Sequence, residues 1–181
     1  TEEAFLQKAS FLARLGSGSA ARSIAGPLSI WGYTEAFSQS NDHYAIAPSE
    51  EWHPIFLDYQ DTVLIVDKGQ KKVSSTLGHA LMQDHPFANQ RFEQAHKNLG
   101  EFKRVLVAGD LKRFIDLVES EALCLHAMMM TSNPRFVLMQ PNTLSIIKKV
   151  EDFRFQTQLP ICFTLDAGAN VHLLYPLQHR I

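Results

Sequence analysis

Near the end of the chain two apolar runs, Ile161-Cys162-Phe163-Thr164-Leu165 and Val171-His172-Leu173-Leu174-Tyr175, flank the turn Asp166-Ala167-Gly168-Ala169-Asn170. Such runs on either side of an Asp/Gly/Asn turn specify an antiparallel hairpin. The clearest buried strand elsewhere is Val63-Leu64-Ile65-Val66, and a long stretch of helical character separates it from the hairpin. Helices placed between an early strand and a late hairpin indicate an α+β domain, with the helices covering one face of a mostly antiparallel sheet.

The intervening segments carry their own punctuation. Ser74 or Ser75 can cap a short helix through Met82, and Pro86 sits near the first turn of the next, which runs toward Val107. Gly109-Asp110 then starts a long amphipathic helix with Leu111, Phe114, Ile115, Val118, Ala122 and Leu125 on one face and Lys112, Arg113 and Glu119 off it. That helix ends near Thr131-Ser132-Asn133-Pro134. A further helix spans roughly Asn142 to Phe153 through Leu144, Ile147 and Val150.

Upstream, Phe5, Leu6, Ala9 and Leu12 predict a first helix ending at Gly16, and Ala20 to about Ile24 a second that Gly26-Pro27 stops. Leu28 to Phe37, His43 to Ala47 and Ile55 to Tyr59 read as short strands in hairpins. The chain opens without methionine and is helix-like from its first residues, so it is expected to be a piece of a longer protein.

A length of 181 residues, 45% of them hydrophobic, is enough to bury a core. A net charge of -2 argues against nucleic acid as the main partner. No run approaches the roughly 20 apolar residues of a membrane span, so no membrane partner is expected. Cys124 and Cys162 lie in apolar segments with no metal-binding spacing, and His126 and Met128-Met129-Met130 read as packing residues. Reduced cysteines point to the cytoplasm.

Two stretches carry the chemistry. Gly16-Ser17-Gly18-Ser19-Ala20-Ala21-Arg22-Ser23 sets two hydroxyls on a glycine turn and an arginine one helical turn on, a combination suited to a carboxylate or phosphate. Asp166 leaves an apolar strand into a glycine turn, where partial desolvation would make its carboxylate a useful base. Its bland alternative is an ordinary turn aspartate. Val73-Ser74-Ser75-Thr76 follows the basic loop Lys68-Gly69-Gln70-Lys71-Lys72; such hydroxyls commonly cap helices, and the lysines can attract an anionic substrate.

Three segments in this order, Ala13-Arg14-Leu15-Gly16-Ser17-Gly18-Ser19-Ala20-Ala21-Arg22-Ser23, Lys72-Val73-Ser74-Ser75-Thr76 and Phe163-Thr164-Leu165-Asp166-Ala167-Gly168, resemble the mevalonate diphosphate decarboxylase family, within the superfamily of galactokinase, homoserine kinase, mevalonate kinase and phosphomevalonate kinase. The resemblance implies a C-terminal fragment. Residues 1–60 would be the tail of a ribosomal-S5-like α/β domain, and residues 61–181 most of a ferredoxin-like α+β domain lacking its last helix and strand. The ATP phosphate loop would lie upstream of Thr1.

The activity so implied is the ATP- and Mg2+-dependent decarboxylation of mevalonate 5-diphosphate to isopentenyl diphosphate, ADP, phosphate and carbon dioxide, by a homodimer, with the fragment inactive alone. Asp166 matches the aspartate that orients or deprotonates the tertiary hydroxyl. Arg22 matches the arginine that holds the substrate carboxylate. Ser17, Gly18 and Ser19 match the substrate-gripping turn, and Ser75 a serine facing the phosphoryl groups. No residue of this chain is expected to ligate a metal. Departures from the family pattern are Ile24-Ala25-Gly26-Pro27 after the arginine, Ala169 where proline is usual, and Thr76 where some bacterial members carry arginine; they bear on diphosphate against monophosphate preference. Alternatives are a kinase of the tertiary hydroxyl, a phosphomevalonate decarboxylase, and a non-catalytic substrate-binding or dimerising module.

Overall fold

Thr1 caps the first helix, its hydroxyl accepting from the Ala4 amide at 3.3 Å, and Glu2 and Glu3 in the first turn complement the helix dipole. This α1 (Glu2–Gly16) is followed at once by α2 (Gly18–Arg22), with Ser17 extended between them. The computed structural model describes residues 1–26, 28–69, 78 and 80–180, which fall into two compact units. One comprises Thr1–Glu51 with Leu99–Lys103, the other Trp52–Asn98 with Arg104–Ile181.

In the first unit the stretches expected to be strands are mostly turns. Among its described residues only an isolated bridge, Ile30 to Ile46, has strand pairing. The physical reason is competition from short polar side chains: Asn41 accepts from the His43 and Tyr44 amides, Asp42 from the Tyr33 amide, and Ser40 from the Thr34 amide. The Ile55 to Tyr59 stretch also departs from expectation. Pro54–Phe56 is a single 3-10 turn whose first free amide, on Ile55, donates to His53 Nδ1.

The second unit is α+β. Its sheet contains β1 (Tyr59–Leu64), β2 (Cys162–Leu165) and β3 (Val171–Pro176), all antiparallel, in the order β1-β3-β2. The hairpin of the late apolar runs is present as expected. Register places Thr62, Leu173 and Phe163 in one row and Leu64, Val171 and Leu165 in the next. Apart from the exposed Thr62, those residues form the apolar face, which packs with Ala122, Ile147 and Val150 from the helices. Val63 and Ile65, by contrast, are 47% and 62% exposed. The run read as the clearest buried strand therefore begins in the edge strand β1 and continues past its end, alternating between exposed and half-buried residues.

Three long helices serve these units: α3 (Ala88–Ala108), α4 (Leu111–Thr131) and α5 (Pro141–Thr157). None of the described helices is long and apolar enough to cross a membrane. Gly109 ends α3 in the left-handed region at φ 74, and a Cβ there would lie 2.6 Å from the His53 ring, so both backbone and space demand glycine. Asp110 then caps α4 through the Arg113 amide at 3.0 Å. On α5 the buried positions are Thr143, Ile147 and Val150, whereas Leu144 is 50% exposed. The short helix expected from Ser74 or Ser75 falls largely outside the described residues.

Glu119, expected on the solvent side of α4, is instead mostly buried. Its carboxylate takes a two-pronged contact from Arg154 at 2.6 and 2.9 Å and accepts from the Phe163 amide at 3.2 Å, while Arg154 also donates to the Ile161 carbonyl at 2.7 Å. The pair thus satisfies the edge of β2 that faces away from β3, groups that would otherwise be buried without partners. Cys162 beside it is fully buried, and burial pushes its thiol up to about 12.

Two outcomes follow from this packing. Glu119→Ala should destabilise the chain by roughly 2 kcal/mol, because it leaves the half-buried Arg154 guanidinium without its carboxylate and the Phe163 amide without its acceptor, and Glu119→Gln should cost clearly less; equal denaturation midpoints for wild type and Glu119→Ala would overturn this. In a thiol titration of the native chain Cys124 should react and Cys162 should not, with both reacting after denaturation.

Candidate active site

Asp166 stands where β2 ends. The turn it opens lines a cavity of about 110 Å³ together with Asp67, Gln140, Asn170 and His172. Strand β2 aims the residue because Leu165, immediately before it, is paired with Val171 and packed into the core. Asp166 is itself exposed, so the partial desolvation expected from its apolar neighbours is not seen in this chain. The apolar residues face the core, and the carboxylate leaves it.

The turn is pinned from three directions. His126 on α4 bonds through Nε2 to the Asp166 carbonyl at 3.1 Å, and the Gly168 amide donates to the same oxygen at 2.7 Å. Thr143 on α5 donates its hydroxyl to the Ala169 carbonyl at 2.6 Å while accepting from the Gln140 amide, which closes the capping box of that helix. The Asn170 side-chain oxygen accepts from the Val66 and Asp67 amides at 2.9 and 3.0 Å, tying the turn to the segment that leaves β1. His126 and Thr143 are essentially inaccessible to solvent. Burial holds the His126 imidazole below its ordinary value, the bond to the Asp166 carbonyl opposing it.

Beside the cavity His172 contacts the Asp61 carboxylate through Nδ1 at 3.0 Å. Asp61 and His172 are cross-strand near neighbours on one face of the β1–β3 pair. The carboxylate fixes the ring and leaves Nε2 as the nitrogen directed elsewhere.

In the first unit Ser17, Gly18, Ser19 and Arg22 share one short segment. The Ser17 and Ser19 hydroxyls are 3.0 Å apart, and both side chains and Arg22 are exposed. Gly18 meets a different constraint from the one its sequence suggests: a Cβ there would sit 2.6 Å from the Trp31 ring. Trp31 is held in turn by its indole donating to the Asp42 carbonyl at 3.0 Å. The helix bearing Arg22 is fixed by Ser10, fully buried, which donates to the Ala21 carbonyl and accepts from the Ala45 amide, each at 2.9 Å. Because α2 has only five residues, few peptide dipoles add up there, and the groups able to meet an anion are the hydroxyls and the guanidinium.

Ser75, with Lys71, Lys72, Val73, Ser74 and Thr76, lies outside the described residues. Lys68 and Gly69, the start of that basic loop, are exposed. In the sequence His126 reads as packing, and no local pattern marks Ser10, Thr143 or Asn170. The signal available was a polar side chain at a position whose helical spacing is apolar, as for His126 between Ala122 and Met129.

The family model for the mevalonate 5-diphosphate decarboxylase C-terminal domain matches residues 62–180. The phosphomevalonate decarboxylase of Haloferax volcanii is 29% identical over 171 residues, covering 94% of this chain and 50% of that protein. The crystal structure of mevalonate diphosphate decarboxylase from Staphylococcus aureus superimposes with a TM-score of 0.81 at 29% identity, covering 96% of this chain and 51% of the other. A solved structure of MDDEF in complex with MVAPP, AMPPCP and magnesium is 26% identical with a TM-score of 0.80, over 93% of this chain and 50% of its own. The chain spans about half the length of these relatives. Its α+β unit with the Asp166 turn, and the match of most of that unit, place this chain in the mevalonate 5-diphosphate decarboxylase family, through the C-terminal domain.

Proposed function

We propose that the protein to which this chain belongs converts mevalonate 5-diphosphate and ATP to isopentenyl diphosphate, ADP, phosphate and carbon dioxide. The observation that carries the reading is Asp166, set at the lip of a cavity by a turn pinned from α4, α5 and the end of β1, inside the segment that the family model matches. ATP enters as a co-substrate with its magnesium, in keeping with the relative solved with AMPPCP and magnesium; the magnesium offsets the charge of the phosphates. The phosphate loop for ATP belongs to the segment expected before Thr1.

In this reading Asp166 accepts or orients the proton of the tertiary hydroxyl, whose oxygen bonds to the γ-phosphorus as ADP leaves. Loss of phosphate from that carbon draws the electron pair of the carbon–carboxylate bond into the new double bond, and carbon dioxide departs. Arg22 holds the carboxylate in line, its benefit appearing as charge shifts in the transition state. Ser17 and Ser19 offer hydroxyls to the same anionic substrate, with Gly18 keeping the backbone close under Trp31. Ser75 would face the phosphoryl groups.

The finer architecture belongs to the same proposal: residues 1–60 as the tail of a ribosomal-S5-like domain, residues 61–181 as most of a ferredoxin-like domain. So do a cytoplasmic homodimer and an inactive isolated fragment. A second reading, a phosphomevalonate decarboxylase acting on the monophosphate, is favoured by the Haloferax volcanii relative of that name.

In the full-length protein, Arg22→Ala and Asp166→Ala should each lower turnover at least about 10²-fold, followed as ADP and carbon dioxide release from mevalonate diphosphate; unchanged turnover in either removes that residue from the mechanism. ADP release without carbon dioxide would identify a kinase instead. Comparing the monophosphate with the diphosphate at equal concentration decides the substrate: the proposal expects higher kcat/KM for the diphosphate.

A further inference from the structure

We infer that His126 is a positioning residue for Asp166, a role that rests on the reading of Asp166 given above. Its place in the fold is unusual for its chemistry. It lies on α4 between Ala122 and Met129, both buried, where an apolar residue would complete the face, and it is 1% exposed. A polar ring in that setting costs free energy unless it is bonded. The partner it has is not a structural amide of its own helix but the carbonyl of Asp166, 3.1 Å away.

That carbonyl matters because of what it leaves free. The amide side of Asp166 is fixed by β2, whose Leu165 is paired with Val171. The carbonyl side is fixed by two donors, His126 Nε2 and the Gly168 amide. With both flanking peptide planes held, the direction of the Cα–Cβ bond is set, and only the two side-chain torsions of the aspartate remain. For an exposed carboxylate at the lip of a cavity, that backbone direction sets the point from which the side chain extends. A carbonyl acceptor also requires hydrogen on Nε2, which specifies one tautomer of the neutral ring. Thr143 and Asn170 fix the later residues of the turn, whereas His126 bonds to the carbonyl of Asp166 itself.

The test uses full-length protein with mevalonate diphosphate and ATP. His126→Leu fills the site and removes the donor; it should lower kcat by about 10- to 100-fold, the size of a misplacement on the order of 1 Å, with KM for both substrates within about 2-fold. His126→Gln, whose amide can stand near Nε2, should restore kcat to within about 3-fold, and His126→Asn, too short to reach, should not. If His126→Leu does not fold, the Gln and Asn pair carries the same comparison. In an Asp166→Asn background the His126 substitution should add less than about 2-fold, because a carboxylate that is absent cannot be misaimed. The inference is overturned by full kcat in His126→Leu, by a loss confined to KM, by equal kcat for the Gln and Asn variants, or by losses that multiply in the double variant. Wild-type kcat in Asp166→Asn alone would instead overturn the reading of Asp166 on which it stands.

Discussion

Among the described residues strand β2 has a strand partner on one side only, and what happens on its other side governs the second unit. There the Glu119 carboxylate accepts from the Phe163 amide and the Arg154 guanidinium donates to the Ile161 carbonyl, the two side chains gripping each other as they do so. An unsatisfied strand edge beside a fully buried Phe163 would be costly. With the edge satisfied, Phe163 and Leu165 can commit their side chains to the core under α4 and α5, and the chain reaches Asp166 in a defined direction.

From that point the construction is polar. In the turn that opens with Asp166, Ala169 is buried and Ala167 packs beside Met129 and Leu138, while His126, Thr143 and Asn170 hold its backbone through carbonyls and amides. Hydrogen bonds of this kind contribute modestly to net stability but are exacting in geometry. The same logic recurs in the first unit, where the buried Ser10 hydroxyl joins Ala21 to Ala45 and so anchors the helix that ends at Arg22. In both units an exposed charged group is carried by backbone that buried polar side chains fix.

Much of the fold was legible because its signals are local. The first helix ending at Gly16, the Asp110 cap, the Gly109 stop and the late hairpin each depend on residues a few positions apart, and each is present. The strands expected between Leu28 and Ala47 failed for an equally local reason, since Ser40, Asn41 and Asp42 take up the amides that a ladder would need. The Val63 to Val66 run misled in another way. A run of apolar residues looks the same whether a strand is covered on both faces or lies at the outside of a sheet, and here it is the latter.

By itself, the amino-acid sequence determined the long helices, the late hairpin and the α+β class, and it singled out Ser17, Ser19, Arg22 and Asp166 as candidates, because helix periodicity, capping and turn chemistry act over a few residues. Only the tertiary structure decided what holds those residues: that Glu119 turns inward to Arg154, that Gly18 lies under Trp31, and that His126 bonds to the Asp166 carbonyl. The reason is physical. A buried polar group takes whichever partner the packing brings to it, and that partner lies on another element, at a distance along the chain that no local pattern encodes.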